Sequence, residues 1–319
     1  VDLSSADLRD TNLSGAKLDP NRTQGVLWNH ATRFDNSYLL HDQCPINLAD
    51  YRLAQSTPTE IFTDDNGDYV KRWLDRNGLM HRIDGPAEII EETNTHDKRI
   101  HYTWYRHGQC HRDNDEPADI VEKDGVVIER HWFTDDVHHR EVGPAEIVED
   151  EEGVLESWMY HGVAHRPDGG PTLINRTRAG QLLNRSYSHQ GGTHRDEGPA
   201  REEWNEQGVK IKEEWWQHRQ LHREDAPART LWNDQGEIER EIWCCQGRVS
   251  RDDGPAEIHY YPNGIVKSEV WRRGGVYHRE NGPAEILYTP EGNKQSERWA
   301  LNGEYYAGGP NGELRRDYY

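Results

Sequence analysis

Most of this chain is one short pattern copied in tandem, and Gly264–Ile286, GIVKSEVWRRGGVYHRENGPAEI, is its clearest copy. Trp271 follows Gly264 by seven residues, His278-Arg279 comes seven later, and Pro283 five after His278. With small slips the same frame places Gly236/Trp243/Pro255, Gly208/Trp215/His222/Pro227, Gly125/Trp132/His139/Pro144, Gly67/Trp73/His81/Pro86 and Gly292/Trp299/Pro310. Marker prolines at 58, 86, 117, 144, 171, 199, 227, 255 and 283 give a period of about 28 residues. Self-similarity at such a period marks a repeat array, in which each unit buries its apolar face only against its neighbours.

Composition agrees with a thin body. Hydrophobic residues are 33% of the 319, against about 45–50% in ordinary globular chains. Three Phe and two Met cannot fill a thick core, yet 12 Trp and 15 Tyr are too many for a disordered acidic chain. A net charge of −20 disfavours direct contact with nucleic acid or anionic membrane and favours a basic protein partner. No apolar run is long enough to span a bilayer as a helix. Cys44, Cys110, Cys244 and Cys245 do not recur at one repeat slot, so a reducing compartment, the cytoplasm or the inside of a virus particle, is expected rather than a disulfide framework.

Within a unit, Pro-Ala-Glu-Ile opens a strand, as at Pro144–Ile147 and Pro255–Ile258. A turn such as Asp65-Asn66-Gly67 or Pro262-Asn263-Gly264 supplies the positive φ that a hairpin requires. The Trp strand follows, then a second glycine turn (Gly108, Gly162, Gly247, Gly303), then His-Arg and an acidic-Gly-Pro corner. Because proline cannot donate to a ladder, each marker proline is expected to begin a strand or sit at an edge. The expected fold is all-β: an elongated array of stacked antiparallel hairpins, two strands and about 10 Å per unit. The Trp slot (Trp73, Trp104, Trp132, Trp158, Trp215, Trp243, Trp271, Trp299) is expected to form an aromatic ladder touching the next unit's proline or isoleucine.

The pattern W-x-x-x-G-x-x-HR-x-x-GPA resembles the tandem HRxDGPA repeats of bacterial and viral proteins, themselves similar to the MORN (membrane occupation and recognition nexus) repeat, over about 250 residues. That resemblance implies hairpin sheets that scaffold protein partners, some of them contacting lipid; unit length, the His-Arg pair and the acidity depart from the MORN pattern. Leu3, Leu8, Leu13 and Leu18 recur every five residues, a period that fits neither helix nor strand. This stretch resembles the pentapeptide repeat family, A(D/N)LXX, which implies a square right-handed β-helix with its leucines stacked inside. A single coil cannot bury both its ends, so it is expected to cap something or to continue upstream. The expected organisation is a coil and its end at 1–40, a connector or cap at 41–57, nine repeats at 58–309 and a C-terminal cap at 310–319.

The candidate polar slots are His81-Arg82, His111-Arg112, His139-Arg140, His165-Arg166, His194-Arg195, His222-Arg223 and His278-Arg279. His-Arg-Asp at 111–113 and 194–196 matches a kinase catalytic triplet, but no phosphate-binding glycine loop or Asp-Phe-Gly accompanies it. It is one filling of a repeated slot, and its role is expected to be structural. The Arg would fork onto a nearby acid or onto the Glu of the next Pro-Ala-Glu, and the His would donate to a turn carbonyl. Histidines one repeat apart would stand about 10 Å apart, too far to share a zinc. His138-His139 and His96 with His101 are only weak local pairs. Asp64–Asp68 resembles a calcium loop but lacks the distal Glu, so a plain turn is expected. No catalytic, cofactor or metal residue is expected. The expected function is a non-enzymatic scaffold or structural component with a protein partner. Alternatives are an acidic mimic of DNA acting on a DNA-handling enzyme and a subunit of a virion or other assembly. Protonation of the 18 histidines is expected to bring self-association or partner release below about pH 6.

Overall fold

The computed structural model describes residues 56–94 and 96–306, together with Asp7, Leu8, Asn12, Leu13 and the backbone of Tyr38–His41 and Cys44–Asn47. Those last two strands pair antiparallel, Tyr38 opposite Asn47. Leu3 and Leu18 of the expected pentapeptide coil, the side chains of 41–55 and the expected cap at 310–319 lie outside the described residues. Every regular element among the described residues is a β-strand. The chain forms two compact units, Val1–Arg112 with Val121–Gly125, and Asp113–Ile120 with Val126–Tyr319.

In the first unit, Glu60–Thr63, Tyr69–Arg72, Glu88–Glu91 and Arg99–Thr103 pair antiparallel in chain order. In the second, each long strand pairs with the next long strand from Val126–His131 to Lys294–Leu301 and Glu304–Tyr306. The register is constant from repeat to repeat, and one row reads Glu213, Thr230, Glu241, Ile258, Glu269, Ile286, Glu297 across the strands.

A repeat holds four strands, not the two expected from sequence. The Trp is followed by a second, short hairpin: Trp216–Gln217 with Gln220–Leu221, Cys244–Cys245 with Arg248–Val249, Arg272–Arg273 with Val276–Tyr277. Strands of two residues are too short for period-2 alternation to show in a sequence.

The two hairpins use different turns. In the long one, Gly264 N–H donates to the Tyr261 carbonyl and Tyr261 N–H to the Ile265 carbonyl; Gly264 sits at φ 79° and the register shifts one residue at His259/Tyr260. That is a type I turn closed by a glycine bulge. In the short one, both tip residues have positive φ, as at Gln246 (48°) and Gly247 (76°), the mirror-image type I′ turn of a two-residue hairpin. Each marker proline from Pro58 to Pro283 stands two residues before a long strand, as Pro86 before Glu88–Glu91 and Pro283 before Glu285–Tyr288.

The core is thin and periodic. Ala87, Ala118, Ala145, Ala200, Ala228, Ala256 and Ala284, each following a marker proline, are fully buried. The Trp271 N–H donates to the Ala284 carbonyl and the Ala256 N–H to the Val270 carbonyl, both at 2.7 Å. The short hairpins lie over the ends of the long strands: Trp216 and Val249 pack on Leu221, Ala228, Ile242 and Cys244.

Candidate functional site: the Trp, Arg and His slots

The short hairpin carries the chain away from the Trp and back, so that the His278 N–H donates to the Trp271 carbonyl at 3.1 Å. The same closure joins His81 to Trp73, His111 to Trp104, His139 to Trp132, His165 to Trp158 and His222 to Trp215. Arg279 therefore emerges beside Trp271, and its guanidinium carbon lies 3.7 Å from the ring centroid. Arg82, Arg112, Arg140, Arg166 and Arg223 cover Trp73, Trp104, Trp132, Trp158 and Trp215 at 3.8–4.3 Å. Each of Arg82, Arg140, Arg166, Arg195, Arg223 and Arg279 also donates from Nη1 to the carbonyl of its corner proline, at 2.9–3.3 Å.

The indole face is thus covered by the unit's own arginine, and the expected fork onto a carboxylate is secondary. Arg140 reaches Asp115, Arg166 reaches Asp168 and Arg251 reaches Asp253 at 2.7–2.8 Å. A guanidinium is planar and weakly hydrated, so stacking on an indole while donating in its plane satisfies both its face and its edge. The Glu of Pro-Ala-Glu goes instead to basic residues of adjoining strands and hairpins. Buried Glu257 meets Arg240 at 2.6 Å and Arg272 at 2.8 Å. His259, Arg240 and Arg272 hold its carboxyl down to about 2, against its burial. Where Arg201 fills that slot, buried Glu202 one place on lies between Arg185 and Lys210; burial pushes its carboxyl up, but the two cations keep it below the usual range.

The histidine role is the reverse of the expected one. His81, His139, His194, His222 and His278 each accept at Nδ1 from the backbone N–H at the tip of the next short hairpin. The following tip residue donates to the carbonyl just before the histidine, as Gly162 to His138 and Gly303 to Tyr277. Tip residues are often histidines too, so imidazoles from consecutive repeats do meet: His81 on His107 and His139 on His161 are stacked at 4.1 and 4.3 Å. The 10 Å expected from strand spacing concerns equivalent slots; the slot and the next repeat's tip lie far closer. No group of three or more potential metal ligands occurs among the described residues, and Asp64 takes the Asn66 and Asp68 amides in a turn.

Two fillings of these slots escape a reading that follows Trp and His-Arg. Tyr187 stands seven residues before His194 and carries Arg195 at 3.9 Å. Ser250-Arg251 replaces His-Arg, with Arg251 over Trp243 at 4.3 Å and Ser250 Oγ accepting the Gly274 N–H at 3.0 Å. Spacing alone locates both. Trp299 has Tyr306 in the histidine position, their rings 6.1 Å apart. Cys244 is buried and its burial pushes the thiol up to about 11, while neighbouring Cys245 is exposed. Comparison of the chain with family models and with curated proteins finds no match.

Proposed function

We propose that the chain is a non-enzymatic, MORN-like repeat scaffold that holds a basic protein partner on the long sheet. The observation that carries this reading is where the repeated polar residues go. The arginines lie on indoles and proline carbonyls, and the histidines take turn amides. Neither is left aimed at a substrate, so the residue types that suggest chemistry serve packing. Between them, Glu213, Glu241, Glu269 and Glu297 occupy one row of the sheet on alternate strands, about 10 Å apart. In a chain of net charge −20, such a row suits a cationic surface and gives it register.

The same row favours a second reading, an acidic mimic of DNA. Inhibition of a topoisomerase by the purified chain would select it over the scaffold. The scaffold reading is tested by cross-linking in the native source with the wild-type chain and a fourfold Glu→Gln chain at 213, 241, 269 and 297. A protein retained by the first and lost by the second is expected. Equal recovery by both, or turnover of a small substrate by the purified chain, removes the reading. Cytoplasm or a virus particle is the setting in which the partner is sought.

A further inference from the structure

The histidine joints between repeats share one hydrogen bond that a protonated ring cannot accept, and the surroundings of the ring differ from joint to joint. At each joint a type I′ tip with φ of 47–49° (His107, His161, His218, Gln246, Asn302) turns its N–H onto the preceding repeat's imidazole Nδ1 at 3.2–3.4 Å. An Nδ1 that accepts carries no proton. When the ring is protonated both nitrogens are donors, so N–H then faces N–H and the bond is lost.

The joints differ in what surrounds the ring. At His194, Asp196 lies 3.1 Å from Nε2, and at His278, Glu280 lies 3.6 Å from it. At both, the Nε2 edge of the ring faces a carboxylate. Ring stacks occur at three joints, His81 on His107, His139 on His161 and His194 on His218 at 4.1, 4.3 and 4.9 Å. At the first and third a carboxylate stands on one ring, Asp75 on His107 and Asp196 on His194. The His139–His161 stack, 6° from parallel with Tyr160 edge-on at 4.8 Å, has no ion pair of that kind among the described residues. Burial, then His161, holds the proton affinity of His139 below that of a free imidazole, and Glu141 opposes them. Adjacent His138 is likewise held low by burial and His131, against Glu146 and Asp119. Protonating His139 and His161 sets two cations face to face as well as breaking the bond.

We propose that the His139–His161 joint is a proton-operated break point, at which acid releases the short hairpin Met159–Tyr160/Val163–Ala164 from the preceding repeat while the long sheet stays paired. The ladder between Glu146–Glu149 and Gly153–Ser157 contains no imidazole, so nothing in it titrates near neutrality. The device belongs to the fold and does not rest on the scaffold reading. Its sign follows from linkage: a histidine whose folded-state affinity is depressed gives stability that is full above about pH 6.5 and is lost as pH falls through the folded value.

The molecule holds its own control in Ser250, which makes the equivalent bond to Gly274 without a titrating group. Hydrogen exchange of the wild-type chain at pH 7.5 and 5.5, corrected for the intrinsic pH dependence of exchange, reads both joints at once. Protection of the His161 and Gly162 amides should fall up to about tenfold, the ratio of protonated to neutral free imidazole at pH 5.5. Protection of Gly274 and Gly275 should not change. In His139→Ser, which copies the Ser250 joint, the fall at 161–162 should vanish. No fall at 161–162, an equal fall at both joints, or a fall that persists in His139→Ser would overturn the proposal.

Discussion

Arg279 lies 3.7 Å over the Trp271 ring while its Nη1 donates to the Pro283 carbonyl at 3.1 Å. One side chain thus ties together the strand that ends a unit's long hairpin and the corner that begins the next unit. The Arg279 backbone N–H reaches the Ala300 carbonyl of the following repeat at 3.1 Å, so the residue works at the joint in three ways. The recurring Gly before the corner proline belongs to the same geometry. A Cβ on Gly282 would come within 2.8 Å of the Arg279 guanidinium carbon.

The slot already carries a Cβ elsewhere in the array, at Glu116 before Pro117 and at Ala226 before Pro227. With Ala226 there, Arg223 nonetheless keeps its Trp215 stack at 3.8 Å and its Pro227 carbonyl at 3.2 Å. Gly282→Ala should therefore be mild, below about 1 kcal/mol, because the flexible arginine gives way. Gly143→Ala should cost more, about 1–3 kcal/mol, since Gly143 is at φ 110° with Arg140 3.0 Å from the added Cβ. Urea unfolding of the two variants checks the order; equal losses would refute it.

Glu257 governs the acid limb of stability in its repeat. Its folded carboxyl is held at about 2, below the ordinary value of about 4.3. Its contribution is therefore complete above about pH 4.3 and is lost as pH falls toward about 2. Glu257→Gln keeps the shape but removes the charge between Arg240 and Arg272. It should cost about 1–3 kcal/mol at pH 7 and less at pH 3. Thermal melts of wild type and variant at both pH values test this, and a pH-independent difference would contradict it.

The period, the corner prolines and the glycine turns were legible in sequence because backbone chemistry fixes them. Pro283 cannot donate to a ladder, and Gly264 supplies the positive φ of its bulge. The partners of the polar slots were not legible. Asp253 is two residues from Arg251 and Trp243 is eight residues away; only the short hairpin, which brings the chain back onto the tryptophan, sets the distant indole under the guanidinium. That hairpin was itself hidden, since Trp216–Gln217 and Gln220–Leu221 are too brief for a pattern. The His139 role turned on direction: an imidazole can donate or accept, and only the His161 tip at φ 47° decides which. The Glu213–Glu297 row needed the register, which a one-residue bulge shifts in the long hairpins that carry it.

Thermal unfolding of Arg279→Ala and Arg279→Lys, alongside partner capture at a temperature where all the chains are folded, addresses most directly whether the His-Arg slots are packing rather than chemistry. Loss of the stack and of the proline hydrogen bond should lower stability by about 1–3 kcal/mol in the alanine variant. Lysine should recover only part, because it lacks the planar fork, and partner capture should be unchanged. An unchanged melting temperature together with lost capture or lost activity would contradict the account.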